Sequence, residues 1–152
     1  MTRMLCALVL AGSSLATAQQ HPIIGTWEVN YAAGLRMENG AATPVMAAGV
    51  LTVVAQGDSL IGELVTTPSA TTPARPATRL AAAATSGAAL VFISHSEARM
   101  NMNGEERTAK VTATWKLTVT GDKLEGTTER SIEGMDMGGG GPQPITGTRR
   151  PH

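Results

Sequence analysis

The chain has 152 residues, with 12 basic and 12 acidic side chains, so its formal net charge is zero at neutral pH. That balance, with no basic block, leaves nothing to track a phosphate backbone and argues against a nucleic-acid partner. The length suits one domain, and a composition rich in Gly, Thr, Ala and Val and poor in Lys suits strands and turns better than helices.

Residues 1–18 read as a secretory signal peptide. Thr2 and Arg3 give a charged start, Met4 to Leu10 is an apolar run, and Ala16-Thr17-Ala18 before Gln19 supplies the small–x–small cleavage pattern. The run is too short for a membrane-spanning helix, which takes about 20 residues, and no later stretch is long enough. A buried N-terminal helix is the other reading of these residues. The expected organisation is a signal peptide over 1–18 and a single barrel domain over 19–152, exported to the periplasm or beyond. Cys6 is the only cysteine and sits too early for a lipoprotein cleavage point, so no lipid anchor is expected. The mature part then has no disulfide, no thiol nucleophile and no thiolate metal site.

Period-two alternation bounded by Gly, Asp, Asn and Pro recurs along the rest of the chain. The first strand is expected over 23–31, with Ile23, Gly25, Trp27, Val29 and Tyr31 on one face. A loop over 32–49, containing Gly34, Asn39, Gly40 and Pro44, follows. Strands over 50–56 and 59–67 are joined at Gly57-Asp58. The Thr-, Pro- and Ala-rich stretch 68–76 cannot donate a full hydrogen-bond ladder and is expected to be exposed and mobile. A weak strand over 78–85 turns at Ser86-Gly87 into a long one over 88–102. Asn103-Gly104 is a strong hairpin signal, because both residues tolerate positive φ. Strands over 107–120 and 123–133 meet at Gly121-Asp122, and 144–150 is the eighth, after the glycines at 138–141. Gly57-Asp58-Ser59-Leu60-Ile61-Gly62 is echoed by Gly121-Asp122-Lys123-Leu124-Glu125-Gly126, a repeated hairpin and not a binding motif.

Eight strands joined by hairpins predict an all-β, eight-stranded antiparallel up-and-down barrel, since closure removes both sheet edges. A β-sandwich is the rival arrangement. Alternating strands put the short turns at Gly57-Asp58, Ser86-Gly87 and Gly121-Asp122 at one end. Connections 32–49, 68–77, 103–106 and 134–143 fall at the other, three of them long. The pattern describes a tight base and a mouth framed by loops, where binding residues usually sit.

Gly25-Thr26-Trp27 on the first strand resembles the G-x-W start of calycins, the superfamily of lipocalins, fatty-acid-binding proteins and avidins. In lipocalins an Arg near the end of the barrel packs across that Trp and closes the base. The resemblance gives this structural role to Gly25, Trp27 and Arg149, the last lying two residues after Gly147. The avidin W-x-N-x-x-G-S run is absent, since Glu28, Val29 and Asn30 follow Trp27, so biotin binding is not implied. The D-x-L-x-G hairpins are also similar in style to those of small secreted bacterial barrels of uncharacterised function.

All four aromatics, Trp27, Tyr31, Phe92 and Trp115, fall on inward faces, as core packing or as a pocket wall. Polar residues share those faces: Ser94 and Ser96 with Phe92, and Thr128 and Arg130 with Leu124. An inward guanidinium must be paired or solvated. Arg130 would receive an acidic group of a ligand, unless a bulge turns it outward or an inward acid pairs with it. The expected ligand-binding set is Tyr31, Phe92, Ser94, Ser96, Trp115, Thr128 and Arg130, around a small, partly apolar molecule at the long-loop end.

Met100-Asn101-Met102 and Met135-Asp136-Met137 are M-x-M runs, with Met37 and Met46 expected at the same end. Thioethers suit Cu(I) in a compartment without thiols, so Met100, Met102, Met135 and Met137 form an alternative metal site; the plainer reading is flexible apolar lining. His95 with Glu97 has the makings of a base and its orienter, but no nucleophile motif accompanies it, and a solvated surface pair is the plainer reading. No catalytic residues and no cofactor are expected. A structural or interaction domain with a filled barrel is the third reading, and the sequence leaves the oligomeric state open.

Overall fold

The computed structural model describes residues 21–86, 88–134 and 141–151. The expected signal segment, Met135, Met137 and Gly87 of one expected turn lie outside them. Eight strands follow one another: β1 (Gly25–Glu38), β2 (Ala41–Gln56), β3 (Ser59–Thr66), β4 (Thr78–Ser86), β5 (Ala89–Met102), β6 (Glu105–Thr120), β7 (Lys123–Ile132) and β8 (Gln143–Arg149). Each pairs antiparallel with the next, and β8 returns to β1 from Trp27↔Arg149 to Tyr31↔Ile145. The sheet is therefore a closed up-and-down barrel and not a sandwich. Among the described residues no helix is long and apolar enough to cross a membrane.

Alternation along the strands decides what the barrel encloses. Trp27, Val29, Leu51, Val53, Leu80, Phe92, Leu117, Leu124 and Ile145 are all but wholly buried. They come from seven strands and converge on one axis. The base end is closed by short turns. Gly57 and Gly121 stand first in theirs with φ near +60°, the arrangement that suits the right-handed twist of a hairpin.

The other end differs from expectation. No loop spans 32–49. β1 stays paired with β2 as far as Glu38↔Ala41, and the turn between them is Asn39-Gly40, with φ of 51° and 80°. That is the same chemistry as Asn103-Gly104, at 56° and 83°. A register shift between Ala32 and Gly34 marks a bulge in β1. Pro44 is accommodated because β2 meets β3 only from Gly49 onward, so Pro44 lies on a stretch with one free edge.

The pairing limits define two ribbons. β1 leaves β8 after Tyr31 while its ladder with β2 continues, so 32–48 projects beyond the wall. β5 leaves β4 after Ile93 and β6 meets β7 only from Val111, so 94–110 projects likewise. Both ribbons rise from the same end, on opposite sides of the barrel. The remaining connections there are 67–77 and 133–142, so two are long and not three.

The 67–77 loop also departs from a wholly exposed strap. Ser69 N donates to Thr72 O at 2.8 Å, and Thr72 N donates to Ser69 Oγ at 3.1 Å. The resulting turn leaves Thr72 only 2% exposed.

Candidate functional site

The two ends of the barrel are built from different chemistry. At the base, Arg149 Cζ lies 4.2 Å from the Trp27 ring centroid. Its Nη1 donates to Ile24 O at 2.9 Å, its Nη2 to Pro22 O at 2.5 Å, and its Nε meets Asp122 Oδ1 at 3.2 Å. Trp27 Nε1 donates to Ile23 O at 2.8 Å, beneath a fully buried Ile23. Gly25 has φ of 138°, and a Cβ there would stand 2.7 Å from Arg149 Nη1, so only glycine fits beneath the guanidinium. Gly25, Trp27 and Arg149 thus form one contiguous plug.

Toward the mouth, the β5–β6–β7 register stacks side chains in rows. Phe92, Trp115 and Thr128 stand side by side, and Ser94, Ala113 and Arg130 form the next row outward. Trp115 Nε1 donates to Ser94 Oγ at 2.9 Å. Tyr31 crosses Trp115 with centroids 5.9 Å apart, and its hydroxyl is 2.6 Å from Thr66 Oγ1. Tyr31, Phe92, Ser94, Trp115 and Thr128 are all buried, so the structure brings five of the expected ligand residues into one packed layer. Ser96 is exposed, because it lies on the 94–110 ribbon where β5 has lost its β4 neighbour.

Arg130 stands on top of that layer, half-buried. Its Nη2 donates to Ala32 O at 2.7 Å, and no carboxylate pairs with it among the described residues. Burial pushes its pKa below the usual guanidinium range; nearby Tyr31 works against that shift and Arg75 adds to it. Arg75 comes from the 67–77 loop, and its Nη1 donates to Ala33 O at 3.0 Å. Two guanidinium groups therefore sit on consecutive carbonyls of the β1 bulge. Sequence reasoning missed Arg75, Thr66 and Thr72. The signal for Arg75 was present: it is the one charged residue of that loop, set between Pro73 and Pro76.

The other expected sites remain apart. Met100 and Met102 lie near the tip of the 94–110 ribbon, opposite Arg107 and Glu105, while Met135 and Met137 lie outside the described residues. His95 Nδ1 is 3.3 Å from Thr112 Oγ1, on the rim of a hollow of about 740 Å³ that also takes in Glu97, Lys110 and Glu133. No group of three or more His, Cys, Asp and Glu side chains suited to a metal ion occurs among the described residues.

No protein-family model, curated protein or solved structure matches this chain.

Proposed function

We propose that this chain is an exported, non-catalytic barrel of calycin-like architecture that binds a small, partly apolar ligand at its mouth. The observation that carries the reading is Arg130. A half-buried guanidinium beside an aromatic pair, with a carbonyl and no described carboxylate as its partner, is costly to keep unless something else compensates it. Phe92, Trp115 and Thr128 in the row beneath it, and Ser94 in its own row, are closed off and, where polar, largely satisfied within the protein. The ligand is therefore assigned to the Arg130 end of that layer, the end from which the two ribbons project. The calycin-like assignment is supported by the strand count, by Gly25-Thr26-Trp27 and by Arg149 over the indole. Export is supported by the charged start, apolar run and cleavage box of 1–18.

The packed interior supports a second reading, a filled barrel acting as a structural or interaction domain. The Cu(I) alternative, with Met100, Met102, Met135 and Met137 as ligands, rests on sequence alone. Native mass spectrometry of the protein purified from its own cells separates the two barrel readings. A specific small-molecule adduct is expected; a bare polypeptide under gentle conditions would favour the filled barrel.

A further inference from the structure

We infer that Arg75 and Arg130 together form an oxyanion clamp, so that the ligand of the mouth is an anionic amphiphile: an apolar body carrying a carboxylate, sulfonate or phosphate. The inference rests on the ligand-binding reading above and adds the chemical class and a second binding residue.

The clamp is assembled from three parts of the chain. Arg130 is fixed by β7, Arg75 is carried by the 67–77 loop, and the β1 bulge offers the carbonyls of Ala32 and Ala33, one to each. A guanidinium has five N–H donors. Among the described residues Arg130 has one protein acceptor and Arg75 has one, which leaves most donors of both groups available there for an incoming oxygen. Two like charges so placed disfavour each other, and burial of Arg130 sharpens the penalty. Other arginines at this end are compensated: Arg36 pairs with Glu38 at 3.5 Å, Arg107 with Glu105 at 3.2 Å and Arg99 with Glu106 at 3.7 Å. For Arg75 and Arg130 no carboxylate serves among the described residues. An oxyanion would compensate half-buried Arg130 and engage exposed Arg75 at once, since arginine forks match carboxylate and phosphate geometry and charge-assisted bonds are the strong ones.

The loop adds a second observation. Thr72, three residues before Arg75, is 2% exposed, and its Oγ1 has no hydrogen-bond partner among the described residues. A buried hydroxyl without a partner destabilises the loop arrangement in which it is found. Opening of the 67–77 loop would hydrate it and admit a ligand, and an anion gripped by Arg75 would draw the loop back. The anchor on β7 and the anchor on the loop thereby have separate tasks, recognition and closure.

Two probes that share an anilinonaphthalene body test this: anionic 8-anilinonaphthalene-1-sulfonate and neutral N-phenyl-1-naphthylamine. Their fluorescence, excited directly or by transfer from the two tryptophans, reports binding. The wild type is expected to bind the sulfonate about tenfold more tightly than the neutral amine, the scale of one or two charge-assisted hydrogen bonds. Arg75→Gln and Arg130→Gln should each remove most of that preference without weakening the neutral probe. Arg36→Gln, which alters a paired cation on the neighbouring ribbon, should leave it intact. In the unmodified protein, sodium sulfate at constant ionic strength should displace the sulfonate probe and leave the amine bound, a check that needs no variant to fold. Equal affinity for the two probes, or a preference that survives Arg75→Gln or falls equally with Arg36→Gln, overturns the clamp while leaving a mouth site standing. If neither probe binds, the mouth site falls with it.

Discussion

The arginines at the two ends of the barrel make the clearest comparison in the molecule. Arg149 at the base is well compensated: an indole face, two carbonyls and a carboxylate surround it, and Gly25 at φ of 138° lies beneath it. Arg130 at the mouth has one carbonyl and a second cation for company. The first arrangement stabilises the fold by itself. The second is a local cost, which an anion would offset if the proposed clamp is correct. On the proposed reading, stability is concentrated at the base and recognition at the mouth, where the wall divides into two ribbons and two loops.

Substitutions at matched positions separate the two roles. Trp27→Ala should have the largest effect, about 3–5 kcal/mol in a urea unfolding titration, because it empties the base and strips Arg149 of its platform. Arg149→Met should cost about 2 kcal/mol through the lost carbonyl bonds and indole contact, with the probe preference at the mouth unchanged. Arg130→Met should shift stability by no more than about 1 kcal/mol in either direction, since it removes a carbonyl bond together with a buried charge. Its lowered pKa reflects the cost of burying the charge. The penalty for holding Arg130 charged is fully present at neutral pH, so the stability difference between the wild type and Arg130→Met should not change between pH 6 and pH 8. A large loss of stability in Arg130→Met, comparable to that of Arg149→Met, would erase the contrast between the ends.

Much of the barrel was legible in the sequence because its signals are local. Alternation placed all eight strands, and the Gly-Asp and Asn-Gly pairs marked the base turns and one ribbon tip. The stretch 32–49 misled for physical reasons. Alanines blur the inside–outside pattern, the bulge at Ala32 to Gly34 breaks the period, and Pro44 is a strand residue only because the edge beside it is free. Asn39-Gly40 carried the same hairpin signal as Asn103-Gly104 and was the clue to follow. At the mouth, face alternation found Arg130 and its buried neighbours, because β7 runs in regular register with β6. Arg75 was invisible to that logic: a loop residue reaches its site through a tertiary hydrogen bond to Ala33, 42 positions away, and no periodicity encodes it. Ser96 was misplaced for the complementary reason, since its alternation is correct but the wall that would bury it ends at Ile93.

The outer surface offers a competing address for any apolar molecule. Leu35, Met46, Val54 and Val65 are the exposed large hydrophobics among the described residues, and all stand on β1, β2 and β3. The measurement that bears most directly on the account is therefore a map of amide shifts in a ¹⁵N-labelled sample titrated with 8-anilinonaphthalene-1-sulfonate. Saturable shifts are expected at Tyr31, Ala32, Ala33, Arg75, Ala113 and Arg130 alone, with Val54, Val65 and the Trp27 base unmoved. Shifts centred on Val54 and Val65, with the Ala32 and Ala33 amides unperturbed, would contradict it.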